Sequence, residues 1–284
     1  MGQPGGMLAN TYIDLDPTLI VMQNYNSASG GRPWPQYVAQ YSGANVYNYA
    51  VSGAVCSNDV TPRTFAAINA DFPAVEQYEI PAYIADSKYV DENGTKFMDN
   101  PPDETVYSIF IGTNDLGNYA FISDSQVPGT SIVNYTECVF GAIQSVYDNG
   151  GRYFVLQNVA PLQLSPQYGL PGKGGLESTQ YWPDKPSNIT EISYKMFEYV
   201  SLVNAVFKYE TPYLTEVEKR FPGAHIAVMD INGLVGETRL HWKASSVLWA
   251  QSLTIFLSSP ISTTTHRNTS TAPRLSMSQV TPTT

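Results

Sequence analysis

Two places in this sequence end an apolar run in a group that can donate a hydrogen bond to an oxygen gaining negative charge. In NYAVSGAVCSND (48–59), Gly53 follows such a run, where a residue without a side chain lets its backbone N–H approach a ligand closely. In VYSIFIGTNDLG (106–117), the run 106–111 breaks off into Gly112-Thr113-Asn114-Asp115, which puts the Asn114 carboxamide at a strand end. A glycine N–H and an asparagine side chain aimed at one point are the donors an ester oxyanion needs, and each such donor is worth about 3–4 kcal/mol of transition-state stabilisation. Alone, either stretch is weak, because a glycine after a strand commonly just turns the chain and Gly-x-Asn-Asp occurs in ordinary turns. Asp115 reads as a structural turn residue rather than a catalyst.

These groups converge only if the segments carrying them are strands of one sheet. Four β-rich runs stand out, 45–51 (NVYNYAV), 106–112 (VYSIFIG), 152–159 (RYFVLQNV) and 225–231 (HIAVMDI). Each is nearly continuous in apolar character, as strands covered on both faces of a parallel sheet require. Helical spacing relates Ile132, Val139, Phe140, Ile143, Val146 and Tyr147, with Asn149-Gly150-Gly151 as the stop. A second stripe runs from Ile192 through Met196, Tyr199, Val200, Val203 and Val206 to Phe207, interrupted at Thr211-Pro212; a third, over 72–89, is less regular and broken at Pro81. Strands alternating with helices predict a doubly wound α/β sandwich, whose ligands sit beyond the carboxyl ends of the strands. After Gly233 the periodicity disappears. From Ser258 onward about half the residues are Ser or Thr, a composition that buries too little apolar surface to offset its ordering entropy.

Composition narrows the class of ligand. The formal charge of −10 provides no basic stripe for phosphates, so nucleic acid is not expected as a partner. With 20 Tyr and only 14% charged residues, the make-up suits an extracellular protein with neutral ligands such as sugars. Four Asn-x-Ser/Thr sequons, at Asn93, Asn134, Asn188 and Asn268, point the same way. Cys56 and Cys138 allow either one bridge or two buried thiols. No apolar run is long enough to span a membrane. The first residues, MGQPGGMLANTYIDLDPTLIVMQ, lack the basic and apolar regions of a secretion signal.

Five stretches in this order, GGRPWPQYVAQY, YNYAVSGAVCSND, VYSIFIGTNDLG, GGRYFVLQNVAPLQLSP and YWPDKPSN, resemble the SGNH, or GDSL-type, hydrolases. The similarity is greatest to the fungal secreted esterases of carbohydrate esterase family 16, many of them acetylesterases. The resemblance implies a three-layer α/β/α flavodoxin-like fold with a parallel sheet. It implies a serine acyl-enzyme mechanism on acetyl or short acyl esters of carbohydrates, without metal or cofactor, in a secreted monomeric glycoprotein. Gly53 and Asn114 match the family's oxyanion donors, which explains why the strand 106–111 stops where it does. Trp34 and Trp182 become candidate sugar-facing aromatics. The same fold would make Cys56 and Cys138 neighbours, and Asn93, Asn134 and Asn188 glycosylation sites.

The remaining family motifs are missing. No Gly-Asp-Ser occurs, and His225, His241 and His266 are preceded three residues earlier by Pro222, Thr238 and Thr263, so none completes an Asp-x-x-His. Ser52, beside Gly53, does not lie in a Gly-x-Ser-x-Gly elbow. Three segments are expected: an irregular one over 1–31, a partial hydrolase domain over 32–234, and a Ser/Thr-rich tail over 235–284. The expectation is a chain truncated or misassembled at both ends, without the central first strand and impaired as an esterase. The alternative is a carbohydrate-binding protein that has lost its chemistry.

Overall fold

The computed structural model describes residues 32–66 and 69–241. Helix α1 (Trp34–Ser42) starts at Pro33-Trp34-Pro35 and stops at Gly43, whose left-handed backbone lets its N–H bond the Ala39 carbonyl. A short antiparallel pair follows, β1 (Thr64–Phe65) with β2 (Ala70–Asp71). A π-turn (Val75–Glu79) then leads into α2 (Ile80–Lys88). The parallel sheet comprises β3 (Val106–Ile109), β4 (Tyr153–Gln157) and β5 (His225–Met229), with β4 in the middle. Between these strands run α3 (Ile132–Asp148) and α4 (Ile189–Pro212), and α5 (Ile231–His241) closes the described chain. The arrangement is α/β with a parallel sheet.

The two periodic stripes are the helices that build the core. Tyr135, Val139, Phe140, Ile143 and Val146 of α3 are buried with Met196, Val200, Val203 and Phe207 of α4 and with Phe154 and Leu156 of β4. Phe140 meets Phe207 edge to face at 6.0 Å, a favoured aromatic geometry. Ser131 caps α3 through a reciprocal box with Asn134, and Asn188 caps α4 by accepting from the Glu191 N–H. A bond between Cys56 and Cys138, with Cα atoms 6.2 Å apart, ties the Gly53 loop to α3.

Several elements differ from the expectation. Residues 45–51 are extended but belong to no ladder. A strand exists only by pairing, and among the described residues nothing lies along the outer edge of β3 for them to join. Pro81 does not break a helix; it lies in the first turn of α2, where its missing N–H would have no partner anyway. Pro212 ends α4 but not the coiling, because a second π-turn (Tyr213–Val217) continues from it. The chain after Gly233 stays helical to His241. His266, Asn268 and the Ser/Thr-rich stretch lie outside the described residues. Among the described residues no helix is long and apolar enough to cross a membrane.

Candidate active site

The carboxyl ends of β3, β4 and β5 open into three loops, and side-chain hydrogen bonds lock each of them. After β3, Gly112 turns the chain with φ of +127°. A Cβ there would overlap the Tyr135 hydroxyl, which donates to the Ile111 carbonyl at 3.0 Å. Glycine is therefore required at 112 both by dihedral and by space. The turn delivers Asn114, whose Nδ2 donates to the Ala54 carbonyl at 2.9 Å. The next residue makes a second stitch: Asp115 Oδ1 accepts from the Cys56 N–H at 2.7 Å and from the Thr61 hydroxyl at 3.3 Å. Burial drives the Asp115 carboxyl up to about 7, against the pull of these donors.

The Gly53 turn is thus held directly against Asn114. Gly53 itself has φ of +101°, and a Cβ on it would press on the Phe72 ring at 3.3 Å. From the other side, Glu79 Oε1 accepts from the Val51 N–H at 2.7 Å, and burial raises that carboxyl to about 7. No acceptor among the described residues takes the Gly53 N–H. One Asn114 amide hydrogen is committed to Ala54, which fixes the carboxamide plane and leaves the second hydrogen for a ligand. The bond to Ala54 brings this carboxamide to the turn that carries the Gly53 N–H.

The other two loops are joined to each other. Asn158, just past β4, donates from Nδ2 to Asp230 Oδ1 at 2.8 Å and accepts the Asn232 N–H on Oδ1 at 2.8 Å. Asp230, just past β5, also accepts the Gly233 N–H, and these donors hold its carboxyl below the ordinary range. Asn204 of α4 bonds both the N–H and the carbonyl of Val159. Sequence reasoning missed Asn158, Asn204 and Asp230. Their signal was the break after LQ and VM into polar Asn-Val and Asp-Ile-Asn at the two strand ends.

The remaining candidates are dispersed. His225 opens β5, at the opposite end from Asn114, and stacks on Tyr153 at 5.2 Å. Ser52 is exposed beside Gly53. Trp34 is 47% exposed on α1. Trp182 corrects the expectation of a sugar platform: only 3% exposed, it packs against Tyr168 at 6.0 Å with Lys185 over its ring, so no free face remains for stacking. Asn93 lies in an exposed turn, and Asn134 and Asn188 serve as helix-capping residues. Among the described residues no three His, Cys, Asp or Glu side chains gather as a metal site would require.

The described residues thus hold a parallel sheet whose β3 loop carries Asn114 and is bonded to the turn that carries Gly53. Residues 10–249 match the GDSL-like Lipase/Acylhydrolase family, and the chain belongs to that family. It is 40% identical over 210 residues to an acetylesterase of Hypocrea jecorina, covering 74% of this chain and 59% of that protein. An acetylesterase of Thermothelomyces thermophilus is 27% identical over 143 residues, 49% of this chain and 43% of the relative. A GDSL esterase/lipase of Zea mays is 27% identical over 126 residues, 42% of this chain and 32% of the relative. The chain therefore spans less than two thirds of the length of each of these relatives.

Proposed function

We propose that this chain is a carboxylic ester hydrolase of the GDSL/SGNH type, suited to acetyl or other short acyl esters of carbohydrates, with the Gly53 N–H and the Asn114 carboxamide as oxyanion donors. The observation that carries this reading is the Asn114–Ala54 hydrogen bond, because it fixes a carboxamide beside a glycine N–H that is otherwise unused. In a serine acyl-enzyme mechanism the hydroxyl attacks the ester carbonyl, whose oxygen becomes an anion between these donors. A histidine carries the serine proton to the departing alcohol, and water then releases the acid by the reverse steps. Two relatives described as acetylesterases support the acetyl preference. The disulfide and the sequons at Asn93, Asn134 and Asn188 support glycosylation outside the cell. The substrate is a small-molecule or oligosaccharide ester, and the protein acts as a monomer.

The 284 residues hold neither Gly-Asp-Ser nor Asp-x-x-His, so turnover by this sequence is impaired. That same absence favours the second reading, a carbohydrate-binding protein without chemistry, for which half-exposed Trp34 is the remaining aromatic.

Labelling by a fluorophosphonate and turnover of a chromogenic acetyl ester test both readings. The chain itself should give neither above background. Fusing a Gly-Asp-Ser strand and an Asp-x-x-His segment from a family member should restore turnover, and Asn114→Ala in that fusion should lower the rate about a hundredfold or more. Strong labelling of the unmodified chain would mean an unrecognised nucleophile, with Ser52 the first to replace. A fused protein that binds acetylated sugar but never turns over would favour the binding protein.

A further inference from the structure

Beside Gly53 lies a cation that the oxyanion reading does not use. Arg63 enters β1 from the turn that follows Cys56, and Asn58 clamps it. Asn58 Oδ1 accepts the Arg63 N–H at 3.0 Å, while Asn58 Nδ2 donates to the Phe72 carbonyl at 2.8 Å. The Phe72 N–H in turn donates to the Arg63 carbonyl at 2.8 Å. The Arg63 guanidinium lies over the Phe72 ring, 5.9 Å from its centroid, and the rim of that same ring lies against Gly53, where an added Cβ would meet it at 3.3 Å. The guanidinium and the candidate oxyanion donor therefore lie against the same aromatic ring. Phe65 packs edge to face on Phe72 at 5.6 Å and fixes the ring.

The guanidinium is partly buried, yet among the described residues it makes no side-chain hydrogen bond, and neither of the two ion pairs there includes it. A rigid fork of five donors without an acceptor is costly in a partly dry place unless a ligand supplies one. The charge of Asp115 acts on it from the loop that carries Asn114, and the neutral Tyr168 hydroxyl lies against the same loop. Asp115 already spends Oδ1 on Cys56 and Thr61, and burial favours its neutral form, so it is a poor permanent counter-ion. The site consequently holds a positive charge beside the acyl position in a protein that is acidic overall.

We propose that Arg63 is a substrate-binding cation that selects short acyl esters whose alcohol half carries a carboxylate, such as acetylated uronic or hydroxy acids. This rests on the proposed acyl site at Gly53 and Asn114 and adds a substrate class to it. The planar guanidinium pairs with a carboxylate through two parallel N–H donors, which a neutral sugar hydroxyl cannot match.

The test compares two small esters with the same acetyl group, 2-acetoxypropanoate and its neutral counterpart 2-acetoxypropanamide, titrated into the full chain and followed by calorimetry or NMR. The carboxylate should bind at least about tenfold tighter than the amide, with a preference that shrinks as salt is added. Arg63→Gln should abolish the preference while leaving the amide's affinity unchanged, and Arg63→Lys should keep part of it. Melting curves of both variants verify folding, and the lysine variant keeps the test informative if glutamine destabilises the loop. Asn114→Ala should weaken both ligands alike, because both present the same ester carbonyl. Equal binding of the two ligands that still depends on Asn114 overturns the role of Arg63 and spares the acyl site. A carboxylate preference that survives Arg63→Gln, or no binding of either ligand, overturns the proposal. Binding indifferent to Asn114→Ala but lost with Arg63→Gln removes the acyl site, and the assignment of Arg63 as a substrate selector falls with it.

Discussion

At the scale of single residues, the loops at the sheet's carboxyl edge depend on carboxyls kept away from water. Asp115 is fully buried with Oδ2 unpartnered, and Glu79 is partly buried with Oε1 on the Val51 N–H. Both have folded-state values near 7, well above those of an unfolded chain, because burial penalises their charged forms. A carboxyl with a raised folded value binds its proton more tightly folded than unfolded. Its contribution to stability is therefore fully present below about pH 4 and is lost as pH rises through about 7. The melting temperature should accordingly fall between about pH 5 and 7.5 and level off above. Asp115→Asn with Glu79→Gln, which keeps both acceptor oxygens, should flatten that slope, as thermal melts across pH will register. The turns at Asn114 and Gly53 were legible as candidates because each ends an apolar run and sits in a recognisable stretch. Arg63 was not, since a single arginine in a turn has no period, and its meaning comes from sharing the Phe72 ring with Gly53.

At the scale of elements, position depends on partners as much as on composition. The 45–51 run has the apolar character of a strand, yet it forms none, because pairing needs a neighbour that residue content cannot report. The helices α3 and α4 were legible because their core faces repeat at helical spacing over several turns. Helix α5 was not, as Gly233 and Gly236 interrupt its apolar face. The junction of β3 with its loop is the tightest constraint on the site. Gly112→Ala would add a side chain against the Tyr135 hydroxyl at a φ that L residues avoid. It should cost about 2–4 kcal/mol in chemical denaturation, more than a typical surface substitution. A loss below about 0.5 kcal/mol would mean that the turn relaxes freely and does not fix Asn114.

At the scale of the whole molecule, the Cys56–Cys138 bond spans 82 residues of sequence, encloses the Asn114 loop and begins three residues after Gly53. In the chain-entropy account a closed loop of that length contributes roughly 4–5 kcal/mol. Reduction, or Cys56→Ala with Cys138→Ala, should therefore lower the unfolding free energy by about that amount, measurable by denaturant titration with and without reductant. Sequence alone left the cysteines open between a bridge and two thiols, since spacing carries no information on proximity across a fold.

The central claim is that Gly53 and Asn114 address one oxygen, and NMR of the isotopically labelled chain tests it most directly. Acetate, the acid that an acetyl ester releases, places a carboxylate oxygen where the oxyanion would form. Titrating it should shift the Gly53 backbone amide and the Asn114 side-chain amide together, along one saturation curve. Asn114→Ala should reduce the Gly53 response. Independent curves for the two groups, or a Gly53 shift unchanged by Asn114→Ala, would contradict the account.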